Sequence, residues 1–242
     1  MRYNKKLLII IISMCAVGFC IRASPADVLL DQPPSHVGGT TSDTGWYDPF
    51  SGFLWQEAAD DFMLPLGGTI DRVAWYGFYG ATFNSIYPPT GSETLRLRIY
   101  ASRPSDGLPG SVLYEESVQD AARTATGQYV SAGSGGRPEY QYRIDLAKPF
   151  SAEAGVQYWF EIAQIDDQSS TLRWEYSTTT TSPFAVINEH LTDWVRIPDG
   201  PDLNFQLISI PEPALLGLLL PMMLIVRGRR ESCRIANNCH CP

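Results

Sequence analysis

Between Asp27 and Ile210 the sequence has no cysteine, one lysine (Lys148) and two histidines (His36 and His190). Each shortage excludes something. Without cysteine this stretch has no disulfide staple, no thiol nucleophile and no thiolate metal site. At 184 residues it can bury about 70% of its unfolded surface, so it can be stable without staples. Ten cations face 24 carboxylates there, a net charge of −14. Nucleic acid is therefore excluded as a partner, because affinity for phosphate backbones comes from clustered Lys and Arg. Two histidines allow at most one hydrolytic triad, and both are expected at the surface or in loops. Missing too are a Gly-x-Ser-x-Gly elbow, a His-Glu-x-x-His pair, a dinucleotide fingerprint and a phosphate loop. No segment of this stretch shows a convincing 3.6-residue period, and there is no internal repeat.

Cysteine and clustered basic charge sit at the two ends instead. Arg2, Lys5 and Lys6 precede an apolar stretch from Leu7 to Ile21, broken only by Ser13 and Gly18. This is the charge and length pattern of a secretory signal peptide, residues 1–26, with cleavage by signal peptidase expected after Ala23 or Ala26. A lipoprotein signal does not fit, because Phe19 stands before Cys20 where a small residue is required.

At the other end Ile210-Pro211-Glu212-Pro213 leads into a 13-residue apolar run, Ala214 to Val226, and then into Arg227, Arg229 and Arg230. Proline offers no ladder hydrogen bond, so the folded domain is expected to stop at Pro211. As a helix the run reaches about 20 Å, short of a hydrocarbon core of about 30 Å. Its six leucines favour insertion, and the arginines place its far end on the cytoplasmic side. Twelve residues follow, Glu231 to Pro242. Cys233, Cys239, His240 and Cys241 among them match no familiar zinc spacing.

The order Pro-Glu-Pro, apolar helix, arginine cluster resembles the PEP-CTERM sorting domain over residues 211–230. The resemblance implies an exported protein held in the membrane by the helix 214–226, at least before processing, and recognised at Pro211, Glu212 and Pro213 by an exosortase-like protease. Fragments of the middle segment also resemble ectodomains carried on such signals: Asp31-Gln32-Pro33-Pro34, Ala59-Asp60-Asp61-Phe62, Ile70 to Gly77, and Ile99-Tyr100 leading to Leu108-Pro109-Gly110. That likeness implies a β-sandwich and assigns no catalytic residue.

The residues of 27–210 point the same way. Leu95, Leu97 and Ile99 alternate with Thr94, Arg96 and Arg98. Tyr140, Tyr142, Ile144 and Leu146 alternate with Glu139, Gln141, Arg143 and Asp145. Leu172, Trp174 and Tyr176 oppose Thr171, Arg173 and Glu175, and Leu203, Phe205 and Leu207 oppose Asn204 and Gln206. A period of two marks half-buried strands. The more continuous runs Ile70–Tyr79 and Val156–Ile165 predict strands buried on both faces or central in a sheet. Turns are expected at 66–68, 87–91, 105–110 and 133–138, and the ambiguous piece 115–126 reads as a strand edge and a loop. About ten short strands predict an all-β fold, an antiparallel, jelly-roll-like β-sandwich between an N-terminal signal helix and a C-terminal hydrophobic helix, with barrel closure as the alternative.

Candidate sites are sparse. Asp166 and Asp167, between two strands, could gather calcium ligands in a turn, but the spacing lacks the regular Asp-x-Asp-x-Asp-Gly pattern. Asp60 and Asp61 are neighbours on a strand and so belong to opposite faces. Trp46, Tyr47 and Trp55 could stack on sugars, with Trp46 and Tyr47 in a loop-like context beside Gly45 and Asp48-Pro49. No cofactor is expected. The reading is a non-enzymatic surface or matrix protein at the cell envelope. A carbohydrate-binding module acting on exopolysaccharide is the alternative, and a secreted hydrolase the third.

Overall fold

Strand alternation in this sequence resolves into two layers with one core. The structure is a computed structural model, and it describes residues 26–48, 52–80, 87–89, 92–132, 135–165, 170–179, 183–188 and 190–211. The leader, Asp166 and Asp167, and everything from Glu212 onward lie outside the described residues. Asp27–Ser209 forms one compact unit.

The described strands, in chain order, begin with β1 (Asp27–Gln32), β2 (Pro34–Thr41), β3 (Asp43–Asp48), β4 (Gly52–Met63) and β5 (Gly68–Gly80). Next come β6 (Thr94–Ser102), β7 (Pro109–Gln119), β8 (Ala122–Ala132), β9 (Gly135–Ala152) and β10 (Gln157–Ile165). The last four are β11 (Thr171–Ser177), β12 (Ala185–Asn188), β13 (Val195–Arg196) and β14 (Phe205–Ser209). No helix occurs among the described residues.

One sheet runs β1-β14-β5-β11-β2, with β9 on the other edge of β5 and β8 beyond it. The second runs β13-β12-β4-β3-β10-β6-β7, with β4 also paired to β10. Pairing is antiparallel except at one contact, where Gln164 of β10 meets Asp43 of β3 in parallel. The fold is all-β, two sheets stacked as a β-sandwich.

Inward-facing positions are those the alternation marked. Leu95, Leu97 and Ile99 of β6 are buried, as are Tyr142, Ile144 and Leu146 of β9 and Leu172 and Trp174 of β11. They meet in one cluster between the sheets. Phe160 of β10 packs edge-on against Trp174 across the layers, with centroids 5.8 Å apart, and lies 5.2 Å from Phe205 of β14. Trp75 of β5 stacks on Tyr142 at 4.9 Å, nearly parallel. Such aromatic contacts add to the burial term that dominates stability.

The two continuous runs became β5 and β10, each flanked on both sides by other strands. The outer face of β10 is covered as well, where Trp159 joins Tyr100, Ala59, Ala185 and Trp194 in a second apolar cluster. Residues 115–126, read as a strand edge and a loop, are the end of the edge strand β7, a turn at 120–121 and the start of β8. Much of β7 is exposed, and an edge strand with little buried surface carries a weak pattern. Residues 135–138, expected in a turn, already belong to β9, whose pairing with β8 continues to Gly135.

Candidate functional site

The sequence-nominated residues do not converge. Trp46 and Tyr47 are not in a loop. They occupy consecutive positions of β3, paired with Leu54 and Phe53 of β4, and their side chains lie outside the described residues. Trp55 is half-buried. Asp60 and Asp61 do part to opposite faces. Asp60 is fully buried and accepts the Leu203 N–H at 2.8 Å, whereas Asp61 accepts from the Gln157 amide. Burial, reinforced by Asp202 and Asp61, holds the Asp60 carboxyl well above the usual carboxylate range, against the pull of the Leu203 N–H. His190 is exposed, and its N–H is held by Asn188 Oδ1. Pro211, half-buried, stands two residues beyond the end of β14.

His36 is different. It lies on β2, where the pairing with β11 slips between Glu175 and Ser177. Its backbone takes the left-handed φ of +58°, a conformation rare for a residue with a side chain. From this bend its N–H donates to Glu175 Oε1 at 2.6 Å, and its ring Nδ1 sits 2.7 Å from Glu139 Oε2. Both carboxylates are buried while the imidazole is about half exposed, 47%.

Three strands supply these groups. Glu175 follows Trp174 on β11, so when Trp174 fills the core Glu175 must face outward. Glu139 lies on β9 one residue past the last pair of β9 with β5, Gly77 with Tyr140. There β8 and β9 lose register between Ala125 and Tyr129. The slack lets Thr126 Oγ1 donate to Glu139 Oε1 at 2.6 Å. β8 also touches β2, and Glu175 is fully buried although it faces outward. Asn204, fully buried, ties the floor together: its amide donates to the carbonyls of Glu175 and Tyr76 at 2.7 and 3.1 Å and accepts the Tyr76 N–H at 2.5 Å.

Donor atoms of His36, Glu139 and Glu175 lie within 4.8 Å of one another. Glu175 Oε2 is buried without a hydrogen-bond partner. Burial pushes the Glu175 carboxyl up to about 8; the Glu139 carboxylate adds to this and the His36 N–H opposes it. Burial likewise raises Tyr76, with Glu139 contributing.

Elsewhere two buried carboxylates, Glu93 and Glu161, are paired with arginine. Arg123 meets Glu93 at 2.6 Å, beside the hydroxyls of Tyr79 and Tyr142. Arg96 spans Glu57 at 2.6 Å and Glu161 at 2.7 Å, and Tyr100 donates its hydroxyl to Glu161. Burial raises the Glu161 carboxyl, and Arg96 works against it. These clusters bridge strands and hold the sheets in register.

The sequence pattern marked Glu139 and Glu175 only as polar positions of half-buried strands, facing water. Their meeting with His36 depends on contacts 103 and 139 residues apart in the chain, which no local pattern carries. No curated protein matches the chain. The profile of one family covers residues 30–211, from within β1 to the residue after the last β14 neighbour. The chain belongs to that family, described as Domain of unknown function (DUF7901).

Proposed function

We propose that the protein is an exported surface or matrix protein, a non-enzymatic, jelly-roll-like sandwich delivered by its C-terminal sorting tail. The leader 1–26 directs export and is removed. The apolar segment 214–226 forms a short helix that holds the chain in the membrane, with the arginines Arg227, Arg229 and Arg230 on the cytoplasmic side. Pro211-Glu212-Pro213 is then presented at the outer interface for an exosortase-like protease.

The observation that carries this reading is where the fold ends. β14 closes at Ser209, the family match closes at residue 211, and the Pro-Glu-Pro sequence begins at Pro211. A tail that follows the last strand without a linker leaves the domain intact when it is cut. The non-enzymatic part is supported by buried Glu93 and Glu161, which serve ion pairs with Arg123 and Arg96.

Expression in paired hosts, one with and one lacking an exosortase-like protease, tests the proposal. The protein should accumulate in the membrane fraction as the longer, tail-bearing form only where the protease is missing. Equal distribution and equal mass in both hosts would refute it.

A further inference from the structure

Buried carboxylates cost several kcal/mol each unless charge or hydrogen bonds answer them. Glu93 and Glu161 are answered by guanidinium groups. Glu139 and Glu175 have no guanidinium: among the described residues neither pairs with lysine or arginine, and they share one imidazole. Both Glu139 oxygens are engaged, by Thr126 Oγ1 and His36 Nδ1. Glu175 Oε1 takes the His36 N–H, and Oε2 is left buried and unpartnered. Two acidic groups, one open acceptor and one imidazole nitrogen thus lie within 4.8 Å of one another, beside a half-exposed ring.

We propose that His36, Glu139 and Glu175 bind a divalent first-row transition-metal ion of the zinc type. His36 Nδ1 and one oxygen from each carboxylate are the ligands, and water completes the shell. The donor set selects the metal class. Two carboxylates balance the ion's charge, and an imidazole favours zinc-like ions over calcium or magnesium. Present spacings suit it: Nδ1 lies 2.7 Å from Glu139 Oε2 and 3.8 Å from Glu175 Oε1. Ligands held at about 2.0–2.2 Å from one ion lie between such values, so only small side-chain shifts are needed. The ion would clamp β2 to β9 and β11. A domain without a single cysteine would thereby gain a cross-link of another kind.

Cobalt(II), a coloured stand-in for zinc, is the probe. The full chain in mild detergent is stripped with EDTA and titrated with Co²⁺. One ion per chain should bind with weak visible d–d bands, free of the sulfur-to-metal absorption that the tail cysteines would give. At a hundredfold excess over Kd the midpoint of unfolding should rise by about 5–10 °C. His36→Asn, whose residue type tolerates the left-handed backbone, and Glu175→Gln should each weaken binding at least tenfold. Because Glu175 is buried, the half-exposed His36 variant decides the matter if Glu175→Gln does not fold. Absence of the d–d bands, or His36→Asn binding Co²⁺ as tightly as the parent, overturns the proposal.

Discussion

Gly39 on β2 is the position where one methyl group should undo both the sheet edge and the His36 site. Its partner across the ladder is Glu175. A Cβ built there would lie 2.4 Å from the Trp174 carbonyl oxygen, 2.8 Å from the Phe78 ring and 3.0 Å from Glu175 Cα. Two of those three atoms are backbone of a central strand and cannot swing aside. Non-bonded carbons rest about 3.5–4.0 Å apart, so β2 must retreat from β11 by about 1 Å. Overpacking of this kind costs about 1–3 kcal/mol. Weakening the adjacent pairs, Thr40 with Trp174 and Thr41 with Arg173, adds about 1 kcal/mol for each bond lost. We expect Gly39→Ala to lose about 2–4 kcal/mol in urea unfolding followed by tryptophan fluorescence, and to weaken Co²⁺ binding because His36 rides on the same strand. Gly45→Ala is the control. Nothing lies within 4 Å of a Cβ at Gly45, so its stability should change by less than about 0.5 kcal/mol. Equal stability of the two variants would refute the packing argument.

Other expectations concern the buried charges. The Asp60 carboxyl is raised by burial, so the folded domain holds a proton there that the unfolded chain releases; this stability is present at low pH and is lost as pH rises above the ordinary carboxylate range. Asp60→Asn should flatten that part of the stability–pH profile while keeping an acceptor for the Leu203 N–H, and parallel profiles would count against the assignment. Arg96→Met should cost about 3–5 kcal/mol in urea unfolding, because fully buried Glu161 loses its 2.7 Å partner. Adding Glu161→Gln should recover part of that loss, and strict additivity of the two changes would show that the pair is not coupled.

The layers of this fold were written in its alternation. β6, β9 and β11 placed Leu97, Ile144 and Trp174 inward as their period of two required. β8 was obscure because Val130, the one buried residue among those described on it, is set among exposed and half-buried ones. Trp46 and Tyr47 looked like loop residues beside Gly45 and Pro49, yet β3 pairs with β4 through them; pairing with a neighbour outweighed local turn chemistry. The His36 site was the least legible part. Glu139 and Glu175 stand at outward positions that normally meet water, yet both are buried in a fold where β8 also touches β2. Sequence spacing records faces, not which outward face another strand will cover.

The central claim is that this sandwich is exported and released from, or sorted by, its tail. The most direct measurement is mass spectrometry of both termini of the protein recovered from envelope and secreted fractions. The account predicts a first residue of Ser24 or Asp27 and a last residue upstream of Ala214, with the apolar segment and its arginines gone. A chain that still begins at Met1, or one that ends at Pro242 in the mature fraction, would contradict it.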